Sequence, residues 1–363
     1  MTELTKIQPC EICGKTDPPA EDDKYNDVYS PARPGSKAAG LGLEKERLCG
    51  RCSCAQFLGG YWDADPSQQG TLTPIEKYQV RGRTIYVKRD DLWMRAKYAG
   101  GNAKLRGAAV HLRALKEEGV EHIGVVDARV SRGGWGISQL CKEIGLECSV
   151  FYPVLANEWM PETTECCEWP KKYNDKLPYN QQQCSKAGAY LRPLRAAKVS
   201  IMYFRARSYC QGHGIHLVPM GLMFPEAMLS VAGEATAMPK ELMTGTFICC
   251  LGTGMMFSGI LLGLQVHQPQ RIIAVNVGMT QMELDGESKT NVQQRVSNRV
   301  LRILPSTYKP PAFEVGLTDR VFYASDDFPA PFKCDTWYDR KAWRWLNEHL
   351  DELPDPVVFW NIG

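Results

Sequence analysis

Beyond about residue 70 the chain alternates short apolar runs with longer amphipathic ones. RTIYVKRDDL (Arg83–Leu92) has the apolar period of a strand, and LRGAAVHLRALKEEG (Leu105–Gly119) has that of a helix ended by glycine. HIGVVDA (His122–Ala128) predicts a buried strand, ISQLCKEIGL (Ile137–Leu146) a helix and ECSVFYP (Glu147–Pro153) a strand. GTFICCLG (Gly245–Gly252), MMFSGILLGLQ (Met255–Gln265) and RIIAVNVG (Arg271–Gly278) repeat the cycle of strand, helix and strand. Strands and helices alternating at this spacing predict an α/β architecture with mostly parallel sheets, whose ligands gather beyond the carboxyl ends of the strands.

Composition narrows the class. The chain has 363 residues, 44% hydrophobic, with a formal charge of +2. That length fits two or three domains with a sizeable core. No apolar run approaches the roughly 18–20 residues a membrane helix requires. The opening MTELTKIQPCEICG lacks a secretory apolar segment, so a cytoplasmic protein is expected, in the host cytoplasm if the source is viral. Fourteen cysteines in such a chain point to reduced thiols and a metal site rather than disulfides. CEIC (Cys10, Cys13) and CGRC (Cys49, Cys52) are two Cys-x-x-Cys pairs, the donor set of a tetrahedral Zn²⁺ site, separated by 35 polar, turn-rich residues. Residues 1–60 are therefore expected to form a zinc-ribbon-like lobe. Its zinc either staples the lobe or supports contact with a partner or nucleic acid.

Two glycine loops follow predicted strands. Gly252-Thr253-Gly254 precedes the helix that begins at Met255, and VSRGGWG (Val130–Gly136) stands in the same relation to HIGVVDA. Glycines admit close backbone approach, and helix-terminal N–H groups stabilise an anion, so the first loop reads as a phosphate seat; a plain tight turn is the alternative. Between Lys171 and Arg207 stand nine Lys or Arg and one acid, interleaved with Tyr173, Tyr179, Tyr190, Tyr203 and Phe204. Such a basic aromatic stretch suits a nucleic acid, with Arg192, Arg195, Arg205 and Arg207 as candidate contacts; the other reading is a solvated or structural face.

The segment GNAKLRGA (Gly101–Ala108) resembles the lysine motif of threonine dehydratases. KRDDL (Lys88–Leu92), WYDRKAW (Trp337–Trp343) and DPVVFWNIG (Asp355–Gly363) resemble the aminocyclopropane-carboxylate deaminase and D-cysteine desulfhydrase branch. The chain is thus similar to fold-type II pyridoxal-phosphate enzymes from about Thr71 onward, with breaks, and outside the cysteine lobe. The resemblance implies two three-layer α/β/α domains: a large cofactor domain from 61–100 and 211–363, and a small one over 101–210 carrying the basic insert. It implies that Lys104 carries pyridoxal 5'-phosphate as a Schiff base and later moves a proton at the α-carbon. Asn102, Gly252, Thr253, Gly254 and Met255 would hold the cofactor, Ser131 would face the substrate carboxylate, and Tyr338 would orient that carboxylate or move a proton. A homodimer is the expected assembly. Two departures bear on the reaction. Arg132 or Gly134 stands where the family places an asparagine, and Asn361-Ile362-Gly363 replaces the branch's His-Thr-Gly-Gly.

Three functions follow as expectations. The favoured one is a lyase acting on an amino-acid group attached to a modified nucleobase. It rests on the lobe, the basic insert and an analogy with bacteriophage pathways that build amino-acid adducts on thymine and require a decarboxylation. The second is a deaminase or desulfhydrase of a small free amino acid, and the third a cofactor-free binding protein in which Lys104 is idle.

Overall fold

The computed structural model describes residues 72–93, 103–155, 177–197, 199–264, 268–278, 288–304 and 308–363, and the backbone of 28–31 and 45–48. The chain forms two compact units, residues 1–65 with 298–309 and residues 66–297 with 310–363. In the first, β1 (Val28–Pro31) pairs antiparallel with β2 (Lys45–Leu48), with Val28 opposite Leu48. The four cysteines Cys10, Cys13, Cys49 and Cys52 lie outside the described residues.

The second unit contains both remaining sheets. Its elements run β3 (Ile75–Val80), β4 (Arg83–Arg89), α1 (Lys104–Glu117), β5 (His122–Val126), α2 (Gly133–Ile144) and β6 (Glu147–Val154). They continue with α3 (Tyr179–Lys186), β7 (Tyr190–Arg195), α4 (Val199–Gly212), β8 (His216–Leu217), α5 (Pro225–Thr236), β9 (Thr246–Leu251) and α6 (Met255–Gly263). After β10 (Arg271–Asn276) and α7 (Lys289–Ile303), whose residues from Asn298 on count with the first unit, come β11 (Glu314–Leu317), α8 (Asp339–Glu348) and β12 (Val357–Asn361). One sheet has the order β11-β10-β9-β12-β4-β3, parallel except for the β3–β4 hairpin; the other is β7-β6-β5-β8 and wholly parallel. The central strands β9 and β12 are buried along their whole length, which explains their nearly continuous apolar sequences TFICCL and VVFWN. Residues 177–212 are a helix, a strand and a helix, with β7 paired to β6. This part of the basic stretch is regular secondary structure.

The motif residues around Lys104 do structural work. At the end of β4, Lys88 pairs with Glu234 and donates to the carbonyl of Thr73 at 2.7 Å. Arg106 donates to Asp90 Oδ1 at 2.6 Å and lies 3.2 Å from Glu234 Oε1, while Trp360 Nε1 donates to Asp90 Oδ2 at 3.0 Å. Thr73 adds its N–H and hydroxyl to Glu234 at 3.2 and 3.1 Å. All five of these polar residues are buried, and two cations balance two carboxylates. Charges this deep persist only when each lone pair and proton is matched, as here.

Small residues then let the helices close. A Cβ at Gly107 would fall within the backbone of Ala227 on α5. At Gly259 on α6 it would reach 2.5 Å from the Met228 carbonyl. The glycine of the KLRGA motif therefore marks a helix crossing. We predict that Gly107→Ala costs about 3 kcal/mol or more in urea unfolding through overpacking. Gly212→Ala, at the end of α4 with nothing within 4 Å, is expected to be neutral or to stabilise by about 0.5–1 kcal/mol.

Candidate active site

Lys104 is the first residue of α1, and its entry is fixed by the Ala103 N–H, which donates to the Ile362 carbonyl at 3.3 Å. The side chain is half-buried and its Nζ donates to the Gly221 carbonyl at 3.0 Å. Burial pushes the amine down to about 8, with Asp127 pulling the other way. Near neutral pH both the ammonium and the nucleophilic amine are populated.

Gly221 joins this lysine to the glycine loop. Its φ of +71° suits glycine, and a Cβ there would come to 2.7 Å from Thr253 Cγ2. The loop Gly252-Thr253-Gly254 connects β9 to α6, with Gly254 at φ +102° in the left-handed region and Met255 beginning the helix. The loop stands at a helix N-terminus, where N–H groups favour an anion, and adjoins Gly221, whose carbonyl takes Lys104. A Cβ at Gly252 would lie 4.0 Å from Tyr338 Cε1, so the phenol ring flanks the same loop.

The other glycine loop is organised by a carboxylate. Asp127, just after β5, accepts N–H bonds from Ala128 at 3.0 Å and Gly134 at 2.8 Å. Burial raises it to about 6, against the Ser131 hydroxyl, these amides and Lys104. Ser131 Oγ accepts the Gly133 N–H at 3.0 Å, and Asn180 Nδ2 donates to the Ser131 carbonyl at 2.8 Å. Arg132 Nη2 reaches Asp335 Oδ2 at 3.1 Å. Asp335 Oδ1 in turn accepts the N–H groups of Trp337 and Tyr338 at 2.8 and 3.0 Å. One guanidinium thus ties the Ser131 loop to the Tyr338 loop. Burial, with Asp127 and Asp335 nearby, holds the Tyr338 phenol far above its ordinary range, so it stays a proton-bearing donor.

Asp339 closes the floor. It accepts the Cys250 thiol and the Ile362 N–H, both at 3.1 Å, and the Gly363 N–H at 2.9 Å. Burial, and next Asp335, raise its carboxyl to about 7.

The structure brings Lys104, Gly252, Thr253, Gly254 and Tyr338 to one cluster, joined to Ser131 through Arg132 and Asp335. Met255 opens α6 behind the loop, and Asn102 lies outside the described residues. The candidate nucleic-acid arginines fall elsewhere. Arg192 sits between the rings of Tyr190 and Tyr209, at 5.7 and 5.2 Å, and the exposed Arg205 donates to the Arg195 carbonyl at 3.4 Å. Arg207 is half-buried on α4. Among the described residues no group of three or more His, Cys, Asp or Glu could hold a metal ion, and no helix is long and apolar enough to cross a membrane. Asp127, Asp335 and Asp339 escaped the sequence reading. The DA of HIGVVDA, at the carboxyl end of a strand, was the available signal for the first.

The two raised carboxyls set a pH dependence. Each binds a proton more tightly in the folded state than unfolded, so its contribution is present below pH 4 and is lost as pH rises through about 6 for Asp127 and 7 for Asp339. We predict that urea stability falls with rising pH over this window, and that Asp339→Asn flattens the slope.

Comparison with known proteins agrees with this geometry. The chain is 27% identical over 301 residues to a glycyl-dTMP PLP-dependent decarboxylase of Pseudomonas phage M6, spanning 80% of this chain and 98% of that protein. The structure of an ACC deaminase homologue matches with a TM-score of 0.61 at 18% identity, over 81% of this chain and 90% of its own. The processed form of threonine deaminase isoform 2 from Solanum lycopersicum matches with a TM-score of 0.54 at 14% identity, over 93% of each chain. At such identities these two likenesses concern the fold alone. The profile described as pyridoxal-phosphate dependent enzyme matches residues 67–315, more than half of the chain. The protein belongs to the pyridoxal-phosphate dependent enzyme family.

Proposed function

We propose that this protein is a pyridoxal-phosphate dependent decarboxylase of an amino-acid group carried on a thymine-derived nucleotide, free or within DNA. The observation that carries the reading is the similarity to the phage glycyl-dTMP decarboxylase over 98% of that protein's length. The site fits the cofactor. A half-buried amine with its pKa lowered to about 8 stands one residue contact from a glycine loop at a helix N-terminus. Lys104 would hold the aldehyde carbon, and Gly252, Thr253, Gly254 and Met255 the phosphate; Asn102, outside the described residues, is added by the resemblance alone. When bound, the cofactor supplies a sink for the electron pair left on the α-carbon as a bond to it breaks.

The chain's own residues account for the rest. Chemistry through Lys104 requires a primary amine on the substrate, so the amino-acid group must be joined to the base with its α-amine free. Lys104, able to exist in both protonation states near pH 8, delivers a proton to the α-carbon. Tyr338, held protonated, donates a hydrogen bond and orients the substrate from the side of Gly252. Ser131 lies on the loop fixed by Asn180 and Arg132 and faces the substrate's amino-acid end. The exposed Arg195 and Arg205 offer charge for the nucleotide's backbone, whereas Arg192, stacked on Tyr190 and Tyr209, stiffens their support.

Mass spectrometry of a thymidine nucleotide and of a DNA oligonucleotide bearing an α-amino-acid group tests this. The purified enzyme with cofactor is expected to release one CO₂ per turnover, and Lys104→Ala to lose roughly 10²–10⁴-fold in rate. Turnover of free small amino acids with neither nucleotide form consumed would instead favour a deaminase or desulfhydrase. We also read Cys10, Cys13, Cys49 and Cys52 as a Zn²⁺ site, since β2 ends at Leu48, next to Cys49, in the hairpin that separates the two pairs. One zinc per chain by elemental analysis, lost in Cys49→Ser, is the expected outcome.

A further inference from the structure

Asp127 is a buried carboxylate at the reacting end of the site for which the reading above has no use. It follows β5 at the strand's carboxyl end, where its own N–H donates to the Phe151 carbonyl at 2.8 Å. Both oxygens are fixed, Oδ1 by the Ala128 amide and Oδ2 by the Gly134 amide in the first turn of α2. The seat is built to shape. A Cβ at Gly134 would come to 2.6 Å from Asp127 Oδ2, so only glycine admits the carboxylate there. Two helix N-termini therefore serve the region of Lys104. That of α6 carries the open glycine loop, and that of α2 is filled by the chain's own anion.

The position of this anion relative to Lys104 follows from shared neighbours. A Cβ at Gly133 would lie 3.3 Å from Ser131 Oγ, 3.4 Å from Leu222 Cδ1 and 3.5 Å from Asp127 Oδ1. Leu222 adjoins Gly221, whose carbonyl takes Lys104 Nζ at 3.0 Å. Of the two arginines on this loop, Arg129 and Arg132, the one beside the α2 N-terminus, Arg132, is engaged by Asp335. A substrate that brings an α-carboxylate to Lys104 thus meets a fixed negative charge where a helix N-terminus would otherwise have welcomed it.

Resting on the decarboxylase reading, we infer that Asp127 selects decarboxylation by repelling the substrate's carboxylate in the bound ground state. In the step itself the bond between the α-carbon and the carboxylate carbon breaks, and its electron pair stays on the α-carbon side. Neutral CO₂ leaves, and one proton passes from the Lys104 ammonium to the α-carbon, to be restored from water. Asp127 gains and loses nothing, but the repulsion vanishes as the charge leaves, so bound substrate is raised relative to the transition state. Destabilisation of this kind raises kcat and KM together and leaves kcat/KM nearly unchanged.

Kinetics of Asp127→Asn on the amino-acid nucleotide test the inference. Both kcat and KM are expected to fall, each on the order of 10²-fold, from the loss of a charge–charge repulsion at close range in a partly desolvated site. Wild type is expected to show the same joint fall below about pH 6, as Asp127 protonates, and the variant to lack it. The groups facing Asp127 include the Lys104 ammonium, the Ser131 hydroxyl, the Cys184 thiol and the Tyr338 phenol, with Arg129 two residues further along its loop; the thiol and phenol are pushed upward and stay neutral there. Equilibrium binding supplies a readout apart from turnover. On a Lys104→Ala background, the protein with Asp127 should prefer the decarboxylated amine nucleotide to its carboxylate-bearing precursor, and Asp127→Asn should narrow that preference. A raised KM with unchanged kcat, a fall in kcat alone, or no change would overturn the inference. The wild-type pH profile and binding preference decide it even if the variant misfolds. Failure of wild type to release CO₂ would remove the decarboxylase reading itself, an outcome distinct from CO₂ release without the joint fall.

Discussion

The buried ion pairs of Arg106 with Asp90 and Glu234 fix the position of Lys104, and the site depends on that position. Arg106 stands two residues past Lys104 on α1, Asp90 directly follows β4, and Glu234 projects from α5, so one guanidinium sets a helix against a strand end and a second helix. Removing one partner of such a pair would strand the others in a low dielectric at a cost of about 3–5 kcal/mol. The cost of assembling it explains why Lys88, Thr73 and Trp360 all contribute: each satisfies an oxygen that would otherwise be buried without a donor. Nonpolar packing alone would let α1 slide along α5. The ion pairs and the close crossing at Gly107 together leave it one register.

On this frame the site sets a shared electrostatic pattern. The protein holds one amine, Lys104, with its pKa lowered to about 8, and burial raises two carboxyls of the site, Asp127 to about 6 and Asp339 to about 7. Each carboxyl has a positional task as well. Asp127 holds the first turn of α2, while Asp339 holds Ile362 and Gly363, and the Ile362 carbonyl in turn receives the Ala103 N–H. The same contacts that shape the backbone therefore tune the field at the lysine.

Much of this was legible in the sequence, for reasons of periodicity. The strands at 246–251 and 271–276 read correctly because full burial demands unbroken apolar runs, α1 because of its one-sided face and α6 because a glycine turn marks its start. The edge strand β3 was missed: its alternation is half-exposed and polar, although the Arg81-Gly82 turn before β4 is a hairpin signal. Helix α5 was missed too, since its small residues serve close packing against α1 and α6 and produce no strong stripe. In the site, local motifs exposed Lys104 and the Gly252 loop. The acids did not stand out because each is one Asp in an ordinary context, and their meaning arises only when segments near 127, 335 and 339 converge.

Arg132 shows why the unreadable part carries the reaction. By resemblance either Arg132 or Gly134 occupies the loop position where an asparagine is usual, and a sequence reading can only register a missing contact. In the fold the Arg132 guanidinium is turned to Asp335, the residue that fixes the Tyr338 amide, and forms a charged strut between two loops. A strut of this kind requires a carboxylate of its own, Asp335, and commits Arg132 there rather than to Asp127. The frame of Lys88, Asp90, Arg106 and Glu234 sets where the lysine stands. The charges traded among Asp127, Arg132 and Asp335 set what a bound carboxylate feels there, and a family that shares the frame can change its reaction by changing only the second set.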